Sequence, residues 1–275
     1  MNQDLIKHID RLIRQRPAAK TALARFREVA CLIDPTAPDV RPVNLKDENR
    51  DIKREEGFPL FSKEDLPIDF DAASHVLKKF LEHLGKAERD DREGLKKALE
   101  KAETEPQWSG DIFMAILKQD EEALARMAEA VDLNPEALFF LGQVAMQPSI
   151  HLLRETLTEE IDKTGWDHGY CPLCGSQPDM AYFEKTGKRH LHCGLCGEEW
   201  PFPRIRCPFC DNEDQETLGY FEVEEEEGFR VYFCRKCHRY LKTIDKKAFE
   251  EVAPLEIENL ATIHLDLLAQ ENGFK

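Results

Sequence analysis

Hydrophobic positions recur through the first 165 residues at the spacing of helix faces. Leu5, Ile6, Ile9, Leu12 and Ile13 make one stripe, ended by Pro17. Ala22, Leu23, Phe26, Val29, Ala30 and Ile33 make a second, and it carries Cys31, which the pattern casts as a small buried hydrophobe without a role. From Asp34 to Pro67 the periodicity stops, and Pro35, Pro38, Pro42, Pro59 and Pro67 punctuate a charged segment. So long an aperiodic stretch is unusual inside a compact domain. It reads as an extended arm laid over the helices, with Phe58, Pro59, Leu60 and Phe61 as its anchor. Phe70, Ala73, Val76, Leu77, Phe80, Leu81 and Leu84 resume the helical period up to Gly85, and shorter segments follow near 91–103 and 109–130. Asn134-Pro135 is a helix start, an N-cap followed by proline at the first helical position. The helix it opens is apolar nearly all round from Leu138 to Met146, hence central, and Pro148 is expected to kink or interrupt it.

The period changes near Thr164-Gly165-Trp166. Met180–Phe183 and Arg189–Leu191 alternate about Thr186-Gly187-Lys188, as expected of a hairpin. Leu218, Tyr220 and Val223 alternate in the same way, as do Phe229, Val231 and Phe233, with a turn at Glu225-Glu226-Glu227-Gly228. After Lys247 the chain returns to helix, and the apolar residues from Leu255 to Leu268 are dense enough to pack back onto the body.

Four Cys-x-x-Cys knuckles flank these hairpins: Cys171 and Cys174, Cys193 and Cys196, Cys207 and Cys210, Cys234 and Cys237. One such pair is a weak signal. Four in series are a strong one, because each turn aims two sulfurs at a point about 2.3 Å away and a second knuckle completes a tetrahedron. Each unit is knuckle, hairpin, knuckle, the layout of a zinc ribbon or of rubredoxin. So small a unit cannot bury enough surface to fold unaided, so the metal does the folding. The expected pairing is consecutive, with cross-bracing of alternate knuckles as its competitor. Zinc and iron both accept four thiolates. His168, His190, His192 and His238 lie close by in sequence and could each replace a cysteine, but with eight thiols on hand they are expected beside the sites or on the surface.

Composition narrows the class. The chain has 275 residues, 41% hydrophobic and 33% charged, with a net charge of −16. That balance disfavours attraction to nucleic acid or anionic lipid. Residues 166–245 hold ten Lys or Arg against fifteen Asp or Glu, although Lys185, Lys188 and Arg189 cluster, as do Arg204, Arg206, Arg235, Lys236 and Arg239; these read as ordinary solvated charge, with an acidic protein surface or a phosphate as the alternative. The start of the chain has no apolar signal region and no run is long enough to span a bilayer, so the expected place is the cytoplasm. Thiols stay reduced there, which argues against disulfides. None of the knuckles opens a helix after a strand as a thioredoxin-like dithiol does. No nucleophile elbow, His-Glu-x-x-His or phosphate loop is present, and no catalytic residue is assigned.

The run C-P-L-C-G-S at 171–176, C-G-L-C-G-E-E-W at 193–200, I-R-C-P-F-C at 205–210 and F-C-R-K-C at 233–237 resembles the formate dehydrogenase accessory protein FdhE family. So does L-A-T-I-H-L-D-L-L-A-Q-E-N-G-F at 260–274. The likeness is specific over about 171–274 and general over the helical half. It implies a cytoplasmic, non-enzymatic protein that is associated with iron and assists maturation of a formate dehydrogenase by binding its catalytic subunit. The eight cysteines of the knuckles inherit the metal-ligand role, as two tetrahedral sites for iron or zinc. The expected architecture is mainly α at the N-terminus, with two small rubredoxin-like modules and a closing helix. Its parts are a helical domain at 1–165 with the arm at 34–67, modules at 166–203 and 204–247, and a C-terminal helix at 248–275. Trp200, Arg204 and Arg206, where the modules join, are candidate partner-binding residues. The alternatives are a rubredoxin-like redox carrier or iron-dependent sensor, and a zinc-ribbon scaffold or nucleic-acid adaptor.

Overall fold

Side chains that accept orphan backbone N–H groups mark the helix starts at Asp69, Asp120 and Asn134. In the computed structural model, which describes residues 2–33, 52–157, 163, 165–223 and 226–275, the described residues pack as two units. The first unit comprises residues 28–33 and Lys63–Leu157. Before it, α1 (Asn2–Gln15) and α2 (Lys20–Ala30) open the chain. Asp69 accepts the Ala72 N–H at 2.9 Å and starts α3 (Phe70–Leu84). Three helices follow: α4 (Arg92–Thr104), α5 (Gln107–Lys118) and α6 (Glu121–Glu129). Asn134 Oδ1 accepts from Glu136 N at 2.8 Å and opens α7 (Pro135–Leu157), against which α3, α5 and α6 pack. Leu77, Phe80, Ile112, Phe113, Leu138 and Met146 are fully buried in this core.

Helix α7 runs on through Pro148 without a break. The sequence leads one to expect a kink or an interruption there. Pro148 is itself buried between Met146 and Ile150, and packing on both sides of the missing hydrogen bond holds the helix together. Cys31 also differs from expectation. Helix α2 ends at Ala30, so Cys31 falls in the turn beyond it and is exposed.

The second unit is built on one six-stranded sheet, in the order β3-β2-β1-β6-β5-β4. The first module supplies β1 (Pro178–Phe183), β2 (Arg189–Cys193) and β3 (Glu199–Pro201), all antiparallel. The second supplies β4 (Leu218–Phe221), β5 (Phe229–Cys234) and β6 (Arg239–Asp245). They fuse where β1 runs parallel to β6, with Met180 opposite Lys242 and Phe183 opposite Asp245. Both hairpins were legible in the alternation of the sequence. The third strand of each module and the parallel seam were not.

One face of the sheet presents Met180, Tyr182, Phe229, Val231 and Ile244 to Leu255, Leu265 and Ala269 of two C-terminal helices. These are α8 (Leu255–Ala261) and α9 (Ile263–Glu271), two helices where a single run was expected. Thr262 makes the break, and its carbonyl and that of Asn259 are met by the buried Lys242, whose Nζ also lies 2.6 Å from Asp266. Residues Gln3–Arg27 belong to this second unit, whereas the sequence division puts them in a helical domain at 1–165. The tie is specific. Arg16 sits 4.3 Å over the Phe229 ring and pairs with Glu226 at 2.7 Å, and Arg11 pairs with Glu251 at 2.8 Å.

Of the expected arm, residues 34–51 lie outside the described residues. Residues 52–55 form a helical turn in place of an extended arm, and the chain after it meets the first knuckle, where the sequence suggested the helices. Leu60 N–H donates to Pro172 O at 2.8 Å and Phe61 N–H to Leu173 O at 2.9 Å, and Tyr170 hydroxyl donates to Gly57 O at 2.5 Å. Leu60 is buried and is the anchor of the apolar group; Phe58 is exposed. Among the described residues no helix is long and apolar enough to cross a membrane.

Candidate metal centres

Each knuckle is a tight turn closed by the same two backbone bonds. Gly175 N–H returns to Cys171 O, Gly197 N–H to Cys193 O, Asp211 N–H to Cys207 O and His238 N–H to Cys234 O, at 2.8–3.0 Å. The residue after the second cysteine is therefore left-handed in all four, with φ of 70° at Gly175, 71° at Gly197, 54° at Asp211 and 57° at His238. Glycine adopts this conformation freely, and aspartate and histidine tolerate it better than most residues. The first cysteine's N–H then bonds the residue five further on: Cys171 to Ser176, Cys193 to Glu198 and Cys207 to Asn212.

The knuckles meet as consecutive pairs. Cys171, Cys174, Cys193 and Cys196 bring their sulfurs within 4.8 Å of one another, and so do Cys207, Cys210, Cys234 and Cys237. Cross-bracing is not what forms. Sulfur separations are 3.5 Å for Cys171–Cys196 and for Cys174–Cys193, and 3.7 Å for Cys207–Cys237 and for Cys210–Cys234. A disulfide needs about 2.05 Å. A tetrahedron with metal–sulfur bonds of about 2.3 Å has edges of about 3.8 Å, so both donor sets fit a thiophilic ion. All four positions would be thiolate, leaving none open for water or substrate.

The two groups differ in exposure. The four cysteines of the first are buried; in the second, Cys207 and Cys234 are buried and Cys210 and Cys237 are half-buried. Burial pushes the Cys171 thiol well up, while hydrogen bonds from Cys171, Cys193 and Cys196 hold Cys174 well down. Burial also raises Cys234, but the N–H groups of Cys237 and Lys236, with the Asn212 amide, outweigh it and bring it down to about 7. The Asn212 side chain lies 3.5 Å from Cys234 Sγ. Each group thus has one thiol whose pKa is lowered, which favours the thiolate that metal capture requires.

This pairing of two knuckle modules has known counterparts. Residues 170–204 match the FdhE central domain and residues 205–275 the FdhE C-terminal domain. Residues 170–275 are thus similar to two consecutive domains of FdhE. The "Protein FdhE homolog" of Aquifex aeolicus (strain VF5) is 33% identical over 146 residues, covering 52% of this chain and 50% of that protein. The match thus spans half of that relative's length. The crystal structure of the FdhE protein from Pseudomonas aeruginosa covers 100% of this chain and 94% of its own, with a TM-score of 0.69 and 24% identity. At that identity the likeness is one of fold. The first cysteine group lies in the residues that match the FdhE central domain and the second in those that match the FdhE C-terminal domain.

The other candidates fall in varied settings around these cysteine groups. None of His168, His190, His192 and His238 enters either cysteine group. His192 instead lies 2.7 Å from Asp179, whose other oxygen accepts from Asn259 of α8 at 2.9 Å. Burial works to lower the His192 pKa, but Asp179 overrides it and the net shift is upward. Trp200 is fully buried, its indole N–H donating to His168 O at 3.0 Å, which makes it core and puts it out of a partner's reach. Arg206 is largely committed inside the unit, pairing with both carboxylate oxygens of Asp167 at 2.9 and 2.5 Å. Arg204 is exposed, 4.7 Å over the Phe183 ring. Arg189, which the sequence places in a basic cluster with Lys185 and Lys188, is only 4% exposed and lies near the rings of Phe202 and Tyr232. Its position on β2 opposite Phe183 marks it as inward-facing, a signal available once the hairpin register is known.

Proposed function

We propose that this chain is a maturation factor for a formate dehydrogenase, holding the catalytic subunit of that enzyme and turning over no substrate of its own. The observation that carries the reading is the match of residues 170–275 to both FdhE domains, with a complete four-cysteine group in each. The resemblance of the knuckle sequences supplies the formate dehydrogenase link. Closed thiolate sites supply structural cross-linking or one-electron chemistry when metal is bound, and leave no coordination position for hydrolysis. Arg204 is the most accessible of the basic residues at the junction of the modules and is proposed to meet the subunit. The eight cysteines are proposed as ligands of two ions, iron or zinc.

The test is affinity capture with the tagged chain from cells making formate dehydrogenase, with mass spectrometry of the captured proteins. The catalytic subunit should be enriched by the unsubstituted chain and weakened by Arg204→Ala with metal content unchanged. No enrichment by the unsubstituted chain removes the reading. A redox role is favoured by one observation, the half-burial of Cys210 and Cys237, since electron exchange needs an accessible centre. A reversible visible spectrum in iron-loaded protein, changing on contact with the subunit, would favour it over a purely structural role.

A further inference from the structure

On the second unit, a groove with a cavity volume of about 220 Å³ opens between strands β4 to β6 and the segment joining the two modules. Four arginines line it, Arg189, Arg204, Arg206 and Arg239, and no aspartate or glutamate does. In a chain of net charge −16 such a concentration of positive charge is a local exception. Arg206 is matched by Asp167 and Arg239 stacks 3.9 Å from the Phe209 ring. Arg189 is matched by no carboxylate within ion-pair distance among the described residues. Its Nη1 donates to Arg206 O at 3.2 Å and, more weakly, to Pro203 O at 3.4 Å, and its Nε is buried without a partner. A guanidinium stays charged in proteins, and leaving one buried without its full set of acceptors is costly. Cys207 lines the same groove but supplies no carboxylate acceptor. The rim is apolar: Ile205 is 53% and Tyr220 52% exposed. Tyr220 lies on β4, the edge strand of the sheet, whose outer side pairs with no other strand among the described residues.

We propose that this groove docks an extended acidic segment of a partner polypeptide. A carboxylate of that segment meets Arg189 and Arg204, and a neighbouring aliphatic or aromatic side chain rests on Ile205 and Tyr220. The inference rests on the partner-holding reading above and names the chemistry of the contact. Three observations select a polypeptide over a nucleic acid. The overall negative charge repels a polyanion at long range. The cavity is sized for one or two side chains. The open edge of β4 offers main-chain groups to a strand laid beside it.

The test is fluorescence anisotropy on the full, metal-loaded chain with labelled decapeptides of alternating glutamate and leucine, and with the same peptide carrying glutamine for glutamate. The acidic peptide should bind about tenfold or more tightly than the glutamine version, the ratio expected of one desolvated charge-assisted pair. Arg189→Met should abolish that preference. Arg204→Ala and Tyr220→Ala, both on exposed side chains, should weaken acidic-peptide binding several-fold and keep the test decisive should Arg189→Met fail to fold. Equal binding of the two peptides, no binding of either, or indifference to the exposed substitutions would overturn the proposal. So would a single-stranded oligonucleotide that binds more tightly and displaces the peptide. Undiminished capture of the formate dehydrogenase subunit by the Arg204 and Tyr220 variants would sink the groove alone. Absence of capture by the unsubstituted chain would sink the partner-holding reading instead.

Discussion

Gly169 has no side chain because Pro208 leaves no room for one: a Cβ there would lie 1.8 Å from the Pro208 carbonyl oxygen. That oxygen is backbone in the third knuckle, so the obstacle cannot rotate away. Gly169→Ala is expected to cost about 2 kcal/mol or more, read as a fall in the denaturation midpoint of the second unit. Gly110, inside α5 with its nearest neighbour 3.9 Å from a built Cβ, is the opposite case. Gly110→Ala should raise stability by about 0.5–1 kcal/mol, because only the helical entropy cost changes. Glu258 offers a pH test. It is 5% exposed, its Oε1 accepts from Ala253 N–H at 3.1 Å and its Oε2 has no partner. Burial raises its pKa above 4.5, against opposing pulls from Arg16, Arg11 and the Ala253 N–H. The folded state therefore binds the proton more tightly than the unfolded one. The stability this gives is complete below about pH 4.5 and is lost as the pH rises through the folded pKa. Glu258→Gln removes the dependence. Its midpoint relative to the parent chain should rise between pH 5 and pH 8, and a flat difference would show that the carboxyl is not held as described.

The bend at Leu60 and Phe61 hydrogen-bonds the first knuckle, with Leu60 buried and its carbonyl accepting from Lys53 Nζ at 2.8 Å. Leu60→Asp puts an unpaired charge in that seat and forfeits about 2 kcal/mol of burial. Metal release to a chelator should then become biphasic, with the first site released about tenfold faster, a ratio that corresponds to about 1.4 kcal/mol. A uniform change at both sites would detach this segment from the first site's stability. At this scale the sequence was readable wherever a single period ruled. The stripe from Phe70 to Leu84 is α3 residue for residue, and the Asn134 cap opens α7 where it should. The cysteine groups were readable from spacing, because a knuckle is a local turn and the hairpin within each module brings its partner knuckle close. What escaped was non-local. β6 buries Lys242 and Thr243 beside Leu241 and Ile244, so it shows no alternation. β3 is three residues long. Trp200 reads as an interface aromatic in the sequence and is core because β3 pairs it with Leu191. Arg16 carries no sign of the Phe229 ring more than two hundred residues further on.

The two units stand on different supports. The first has its own buried apolar core and no cysteine group, whereas the second holds both groups together with Gln3–Arg27. Structural thiolate sites contribute on the order of 10 kcal/mol each, comparable to the whole stability of a small domain. Stripping metal under reducing conditions and then digesting should leave a resistant core within Lys63–Leu157 and destroy the rest, including the first two helices up to Arg27. Survival of a fragment that begins at the N-terminus would contradict the division. The parallel seam between β1 and β6 also carries a consequence for the order of events during synthesis. The first cysteine group is complete in sequence once Cys196 has been made; β1 and β2 can form at that point, and β3 once Pro201 has followed. The free side of β1 must then wait, unpaired, until Arg239–Asp245 emerges from the ribosome. Gln3–Arg27, the earliest segment made, waits longer still, because Phe229 and Glu251 are its partners. A nascent chain stalled between these points carries a finished metal site beside an open strand edge, the kind of surface to which other strands add. Delayed translation after the first module should therefore be more hazardous to this protein than delay after the second.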